Sequence, residues 1–397
     1  MPSYSKPGTE RVWQTPKLRD DDPGRHHPVG WAELFFDLVF VVVIAVLAGN
    51  LAAHENLLKF ALQFTAIFWV WNGFTYYNER FESHGLDNRL FTFVAILAVA
   101  GLAIWGRNGL GRNYVPFAGS YLLARLQTIA LWLRAGYHVR RVQRPALSFA
   151  GAFTVSTALI SVSVLAPTTW RLVLFAAAIL IEIVTPVITG QFQAGLPPLT
   201  RDKYPERFGL FTQIVMGQTV TEVILSVAAA NSVSRISVPA IVLAGLGLLV
   251  GFGLWWVYFD FVARRPTSQV IRVVLAWIYL HLLMLIGIVV IGVGLSDALA
   301  VSAEAVLPVG PRDFLLFGTA GVLAAVACIE LTLDREPDEP TSPVLSPAMK
   351  LVTAVAVAGI ALSPLQMDAF ETMGVLIAAL GAQAAYAARV YYRKHQR

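Results

Sequence analysis

Residues 31–47 read WAELFFDLVFVVVIAVL, and this stretch decides the class of the protein because it is apolar enough to begin a membrane span. Similar runs recur almost to the end of the chain, which is 56% hydrophobic and only 14% charged. About a quarter of the residues are charged in a soluble domain. We therefore predict an all-α polytopic membrane protein with about twelve transmembrane helices. The predicted spans are 31–53, 58–78, 89–106, 115–136, 146–166, 169–190, 206–230, 237–262, 268–296, 311–333, 348–364 and 368–390.

The distribution of Lys and Arg predicts how the chain is oriented, since these residues tend to stay cytoplasmic at the ends of spans. With the N-terminus inside, most of the 30 Lys and Arg residues fall on the inner side. Both termini are therefore predicted to be cytoplasmic, and the net charge of +5 reflects topology and not nucleic-acid binding. The predicted organisation is a disordered cytoplasmic tail (1–30), a six-helix half (31–190), a cytoplasmic linker (191–205), a second six-helix half (206–392) and a basic C-terminal tail (393–397).

Three stretches carry a family resemblance: ELFFDLVF (33–40), WVWNGFTYYNERFE (69–82) and ERFGLFTQIVMGQTV (206–220). Together they resemble the bacterial low temperature requirement A (LtrA) family of membrane proteins. The resemblance implies a multi-pass protein of the bacterial cytoplasmic (inner) membrane, but it implies little about function, because the family's function is poorly defined.

The chain departs from the family pattern at two places. Where the family usually reads Gly-Glu-Ser, this chain has Gly217-Gln218-Thr219, so an amide replaces a carboxylate. After Phe81-Glu82 the family tends to carry two acids, and here Ser83-His84-Gly85 follows. If those acids carry protons or cations in relatives, the activity of this chain is expected to be altered.

Glu33 and Asp37 stand four residues apart, so they share one face of the first helix, in the inner third of the span. A charged side chain at the centre of a span costs about 2.5–3.5 kcal/mol on insertion scales. One interpretation is structural: Glu33 interacts with the helix dipole and Asp37 pairs with an Arg. The other is functional, with the two acids forming a proton or cation site. Position alone allows both.

A short repetition favours a relation between the two halves. The first helix begins Glu33-Leu34-Phe35, and the seventh begins Glu206-Arg207-Phe208. Six helices in each half would give two repeats of the same orientation, which is one arrangement found in transporters. The first helix is also similar to the Phe-Ser-Asp helix of certain organellar potassium and proton channels.

Several other polar residues within predicted spans are candidate site residues. Arg125 lies near the middle of the fourth span and requires a partner, for which Glu182, Glu222 and Asp37 are the candidates. His281 in the ninth span is either a hydrogen-bonded packing residue or a proton relay. Glu330 lies near an inner end, where it is expected to reach water. The remaining candidates are Arg80 and Glu82 at the inner end of the second helix, and Glu206, Arg207, Gln218 and Glu222 on the seventh.

The sequence contains no Gly-rich phosphate loop, no zinc-type spacing of Cys or His and no Asp-rich box for magnesium–diphosphate chemistry, so neither a cofactor nor a metal is predicted. The leading hypothesis is a small-solute or ion transporter or channel, proton-linked, with Asp37 as the ion-binding or gating acid. The second is an intramembrane enzyme that acts on a lipid or isoprenoid substrate by acid catalysis through Asp37 or Glu222. The third is a stress-related membrane scaffold without turnover. The expected partners are the lipid bilayer, a proton or cation, and a small-molecule or lipid substrate.

Overall fold

A computed structural model describes residues 13–19, 29–54, 56–82, 85–193, 196–197, 199–200, 203–233, 237–263, 265–301, 305–335 and 339–395. These residues form twelve α-helices, which confirms the predicted all-α class. The helices are α1 (Trp31–His54), α2 (Leu57–Arg80), α3 (Leu86–Gly106), α4 (Tyr114–His138), α5 (Gln143–Leu165), α6 (Thr168–Ile188), α7 (Lys203–Val233), α8 (Val238–Tyr258), α9 (Ile271–Ala300), α10 (Val309–Glu330), α11 (Leu345–Leu362) and α12 (Ala369–His395). A 3₁₀ turn (Arg140–Val142) precedes α5, and a π-helical turn (Phe259–Ala263) extends α8.

Ten helices within the described part of the chain are long and apolar enough to cross a membrane. The exceptions are α2 and α4, which both carry Gln and Arg together with Trp and Tyr, and α2 carries Asn as well. In α2, every residue from 66 to 80 is buried apart from Gly73, so its polar side chains are shielded by protein. The structure therefore supports a multi-pass membrane protein, and the count of twelve spans stays a prediction.

The chain divides into two compact units. The first comprises Met1–Val43 and Thr65–Lys203, and the second comprises Ile44–Phe64 and Tyr204–Arg397. Within the first unit, α3, α4, α5 and α6 pack against one another in sequence order. Within the second, α10 packs against α9 and α11, and α8 packs against α12. The predicted boundaries of the two halves and their relation as repeats stay predictions.

Glycines allow α9 and α10 to approach closely in the second unit. A Cβ atom at Gly287 of α9 would lie 2.8 Å from a methyl carbon of Val322, and one at Gly318 of α10 would lie 2.8 Å from Cγ1 of Ile291. Both distances are too short for a real side chain, so only glycine permits this spacing of the two backbones. Ile288 and Leu323 are fully buried, which places the core of the second unit along this helix pair.

An extended segment before α1 packs against the C-terminal end of α2. Strand β1 (Lys17–Leu18) pairs antiparallel with β2 (Phe81–Glu82), with Lys17 opposite Glu82. Arg19 Nη1 lies 3.0 Å from Oε1 of Glu79, and both side chains are buried. The structure thus differs from the disordered tail predicted for 1–30 over residues 13–19, because a buried ion pair and backbone hydrogen bonds fix this segment. Residues 1–12 and 20–28 lie outside the described residues.

Candidate functional site

The two acids of the opening motif are both held by contacts within the first unit. Lys203 Nζ donates a hydrogen bond of 3.0 Å to Oε1 of Glu33. Asp37 is 1% exposed, and its Oδ1 accepts a hydrogen bond of 2.7 Å from the indole Nε1 of Trp71 on α2. These contacts bring the first two sequence motifs together and connect them to the first residue of α7.

The C-terminal end of α2 forms a second set of contacts, centred on Arg80. Arg80 Nη2 donates to the hydroxyl of Tyr76 at 2.9 Å, and that hydroxyl donates to Oε1 of Gln193 at 2.6 Å. Gln193 Nε2 in turn donates to the backbone oxygen of Pro186 at 2.9 Å. This chain joins α2 to the end of α6. Glu82 lies in β2, opposite Lys17, and its side chain lies outside the described part of the structure.

The structure pairs Arg125 with Glu182, one of the three acids considered from the sequence. Arg125 Nη2 lies 2.6 Å from Oε2 of Glu182, and both side chains are fully buried. The hydroxyl of Tyr121 donates to Oε2 at 2.6 Å, and Ser156 Oγ donates to Oε1 at 2.6 Å. Both carboxylate oxygens therefore accept hydrogen bonds, as burial of a charge requires.

Gly73 of the second motif makes room for this ion pair, a role that the sequence analysis missed. A Cβ atom at Gly73 would lie 3.1 Å from Nη1 of Arg125. The same Nη1 donates to the backbone oxygen of Trp69 at 3.4 Å. A glycine inside an aromatic run is the signal that could have indicated the close approach, since it marks where another group meets the helix.

The first turn of α7 places two neighbouring charges in opposite environments. Glu206 is exposed, where the positive end of the helix dipole favours an acid. Arg207 is 1% exposed. The two residues therefore do not share one environment, although the sequence sets them side by side.

Farther along α7, Gln218 and Glu222 form a pair of a different kind. Gln218 Nε2 donates a hydrogen bond of 2.6 Å to Oε1 of Glu222. Gln218 is 4% exposed, whereas Glu222 is half-buried. A carboxylate thus lies within an apolar span and receives its hydrogen bond from a neutral amide. At this separation a second carboxylate in place of Gln218 would have to share a proton with Glu222.

The contacts of His281 favour the packing interpretation over the relay. Its Nδ1 lies 2.8 Å from the backbone oxygen of Trp277, which can only accept, so Nδ1 carries a proton. In the neutral ring Nε2 then accepts from the Tyr258 hydroxyl at 3.3 Å. The rings of Trp277 and Phe208 lie 4.1 and 5.1 Å from the imidazole. Both nitrogens are thereby engaged within an aromatic cluster.

A buried ionic cluster on the second unit was not predicted. Glu330, which was expected to reach water, is 6% exposed. Its carboxylate lies 2.9 Å from Lys350 Nζ and 3.3 Å from Arg265 Nη1, and Ser346 Oγ donates to it at 2.9 Å. Because the Glu330 carboxylate lies between two cations, its charge is compensated without contact with water. The available signal was the presence of opposite charges near the predicted inner ends of these helices.

The contacts described above bring Glu33 to Lys203, Arg80 to Tyr76 and Arg125 to Glu182 within the first unit. Within the described residues, no group of three or more His, Cys, Asp or Glu side chains could hold a metal ion. The groups around Glu33, Arg80 and Arg125 connect helices. The pair formed by Gln218 and Glu222 differs from them because its donor is uncharged.

Comparison with known proteins gives one positive result. The family model described as bacterial low temperature requirement A protein (LtrA) matches residues 28–385. This range contains all three sequence motifs and every candidate residue. Neither a curated protein nor a solved structure matches the chain significantly.

Proposed function

This chain belongs to the LtrA family, and we propose that it is a proton- or cation-linked membrane transporter or channel that uses Glu222 of α7 as its exchangeable acid. The observation that carries the proposal is the environment of Glu222. It lies within an apolar span, and its hydrogen bond comes from the neutral amide of Gln218. Across the part of the chain that the structure describes, no ion pair includes Glu222.

The chemistry of ion exchange favours such an acid. A carboxylate in a buried ion pair cannot change its charge without leaving the partner cation uncompensated in the protein interior. A carboxylate held by an amide can take up a proton or a cation at its second oxygen while the amide hydrogen bond persists. Glu222 is also only half-buried, so part of its side chain is accessible at the surface of the protein.

The cost of an acid in lipid supports the same assignment. Acids within spans usually face the protein interior or a water-filled cavity, because lipid does not solvate their charge. The exposed part of Glu222 is therefore assigned to an aqueous path through the protein. Gln218 would act as a positioning residue that fixes the orientation of the carboxylate.

The proposal assigns a structural role to the acids of α1. Glu33 and Asp37 receive hydrogen bonds from Lys203 and Trp71, and Asp37 is almost fully buried. These contacts support the interpretation that the two acids fix the position of α1. The prediction that Asp37 carries the ion stays a prediction, and the experiment below separates the two assignments.

The test is proton and potassium flux into proteoliposomes that contain the wild type, Glu222→Gln or Asp37→Asn. We expect Glu222→Gln to abolish the flux, while Asp37→Asn retains flux in the fraction that stays folded and monodisperse. Glu371→Gln is the matched control, because Glu371 is an exposed acid in the first turn of α12 and a Gln can replace it there. Flux that is lost in Asp37→Asn and kept in Glu222→Gln would move the exchangeable site to α1.

A scaffold without turnover is the second candidate, and the ion-paired acids favour it. Glu79, Glu182 and Glu330 all lie buried against Arg or Lys side chains, as expected for groups that serve assembly. Absence of flux in the wild type and in every variant, together with a large loss of thermal stability in the ion-pair variants, would support the scaffold. The enzyme hypothesis stays a prediction.

A further inference from the structure

An apolar groove with a volume of about 540 Å³ lies between α9 and α10 in the second unit. Its lining residues recur every three or four positions along both helices, so each helix contributes one continuous stripe. On α10 the stripe extends from Asp313 to Cys328, which corresponds to about 22 Å at the helical rise of 1.5 Å per residue. The groove is therefore long, narrow and apolar.

One end of the groove is polar. Asp313 is the charged residue in the lining and lies in the second turn of α10. Arg312 contacts Oδ1 of Asp313 through Nε at 3.3 Å and Nη2 at 3.2 Å, and it also donates to the backbone oxygens of Leu365 and Ala361. The Arg312 side chain is 13% exposed and that of Asp313 is 32% exposed. The charge presented at this end of the groove is therefore a carboxylate.

We propose that the groove binds one acyl chain of a phospholipid whose primary-amine headgroup, as in phosphatidylethanolamine, donates to Asp313. The apolar walls belong to two membrane spans, so acyl chains are the medium that meets them. The ammonium group complements the exposed carboxylate and can form a charge-assisted hydrogen bond with it. Phosphatidylcholine has no N–H donor in its headgroup, and an anionic lipid places a negative charge next to Asp313.

The dimensions of the groove favour a chain over a helix from a second copy. A helix is about 10 Å across, so one lying along about 22 Å would occupy roughly 1,700 Å³. The groove has a volume of about 540 Å³, so a helix could insert only one face into it. A single extended hydrocarbon chain is much thinner than a helix and follows the two stripes without requiring the walls to move.

The test uses native mass spectrometry of the full chain with phosphatidylethanolamine, phosphatidylcholine and phosphatidylglycerol of identical acyl chains. We expect phosphatidylethanolamine to bind about tenfold more tightly than phosphatidylcholine, as one charge-assisted hydrogen bond implies. Asp313→Asn should abolish this preference. Gly321→Leu should fill the groove and prevent binding, since a Cβ there meets nothing within 4 Å and the fold accommodates it. Gly359→Leu, an equally open position on α11 outside the groove, is the matched control.

Cys328 gives a second readout, by chemical labelling in place of mass spectrometry. It is the single cysteine of the chain and it lines the groove opposite the Asp313 end, partly accessible. Its reaction with a maleimide should slow when phosphatidylethanolamine is added to delipidated wild type, and should not slow in Asp313→Asn at the same lipid concentration. Equal binding of the three lipids, or unchanged labelling on lipid addition, would overturn the proposal. A dimer that Gly321→Leu converts to a monomer would assign the groove to a second copy instead.

Discussion

Glu182 of α6 and Glu222 of α7 are the same residue type within apolar helices, and each accepts a hydrogen bond of 2.6 Å from a side chain. They differ in what balances their charge. Glu182 is fully buried against Arg125, whereas Glu222 is half-buried and receives its bond from an amide. Hydrogen bonding alone thus does not reveal the role of an acid in a membrane protein. On the proposed function, the fixed countercharge assigns Glu182 a structural role, and the neutral donor allows Glu222 to change its charge.

Replacing Glu182 with Gln should have the largest effect on stability. Glu182→Gln leaves the fully buried Arg125 without its countercharge, and breaking a buried pair in this way costs about 3–5 kcal/mol. The measurement is the apparent Tm in detergent, followed by the fraction of monodisperse protein in size-exclusion chromatography. We expect a marked fall in both.

A double variant tests whether the loss comes from the stranded charge. Arg125→Met with Glu182→Gln removes the cation as well, and should recover part of the stability lost in Glu182→Gln alone. A double variant that is as unstable as the sum of its two single variants would show that the charge pair is not the source. The comparison between Glu182 and Glu222 would then lose its physical basis.

Much of the fold could be predicted from the sequence, because apolar runs of about twenty residues follow from the thickness of the bilayer. The predicted span 31–53 is α1 at Trp31–His54, and the predicted span 89–106 is α3 at Leu86–Gly106. The predicted span 237–262 includes the π-helical turn after α8, since hydropathy does not distinguish helix types. The contacts of residues 13–19 with the end of α2 were not predicted, because the contacting residues are distant in sequence.

Less of the candidate site could be predicted. The need of Arg125 for an acid follows from its position within an apolar run, and Glu182 was among the acids considered. The choice among three acids depends on which helices pack together, and a single sequence does not contain that information. The cluster of Glu330, Arg265 and Lys350 was missed for the same reason. From sequence alone, residues near helix ends are expected to be exposed to water, because the positions of the neighbouring helices are not known.

A third acid, Asp37, is almost fully buried and accepts a hydrogen bond from the neutral indole of Trp71. The Trp71→Phe variant therefore extends the comparison between Glu182 and Glu222. The change removes the indole N–H that donates to Asp37 and retains a smaller aromatic ring. Loss of a hydrogen bond to a buried carboxylate costs about 1.5–3 kcal/mol, so the apparent Tm should fall by less than in Glu182→Gln. Trp105→Phe on α3, where the indole is 40% exposed, is the control and should leave the Tm nearly unchanged.

An effect of Trp71→Phe no larger than that of Trp105→Phe would contradict the structural role of Asp37. The carboxylate would then tolerate loss of its indole donor, as an acid that exchanges an ion does. In that case the acid of α1 and the acid of α7 would belong to the same class, and both would have to be tested by flux.

Glu222→Gln should have the smallest effect on stability, within about 0.5 kcal/mol. The side chain is half-buried, and a Gln at 222 still offers an oxygen to the amide of Gln218. No described cation is stranded by the change, in contrast to Glu182→Gln. The apparent Tm of Glu222→Gln should therefore match that of the wild type while flux is lost, a combination that separates an exchangeable acid from a structural one. A fall in Tm as large as that of Glu182→Gln would instead place Glu222 with the acids that hold the helices together, and the scaffold would become the better account of this protein.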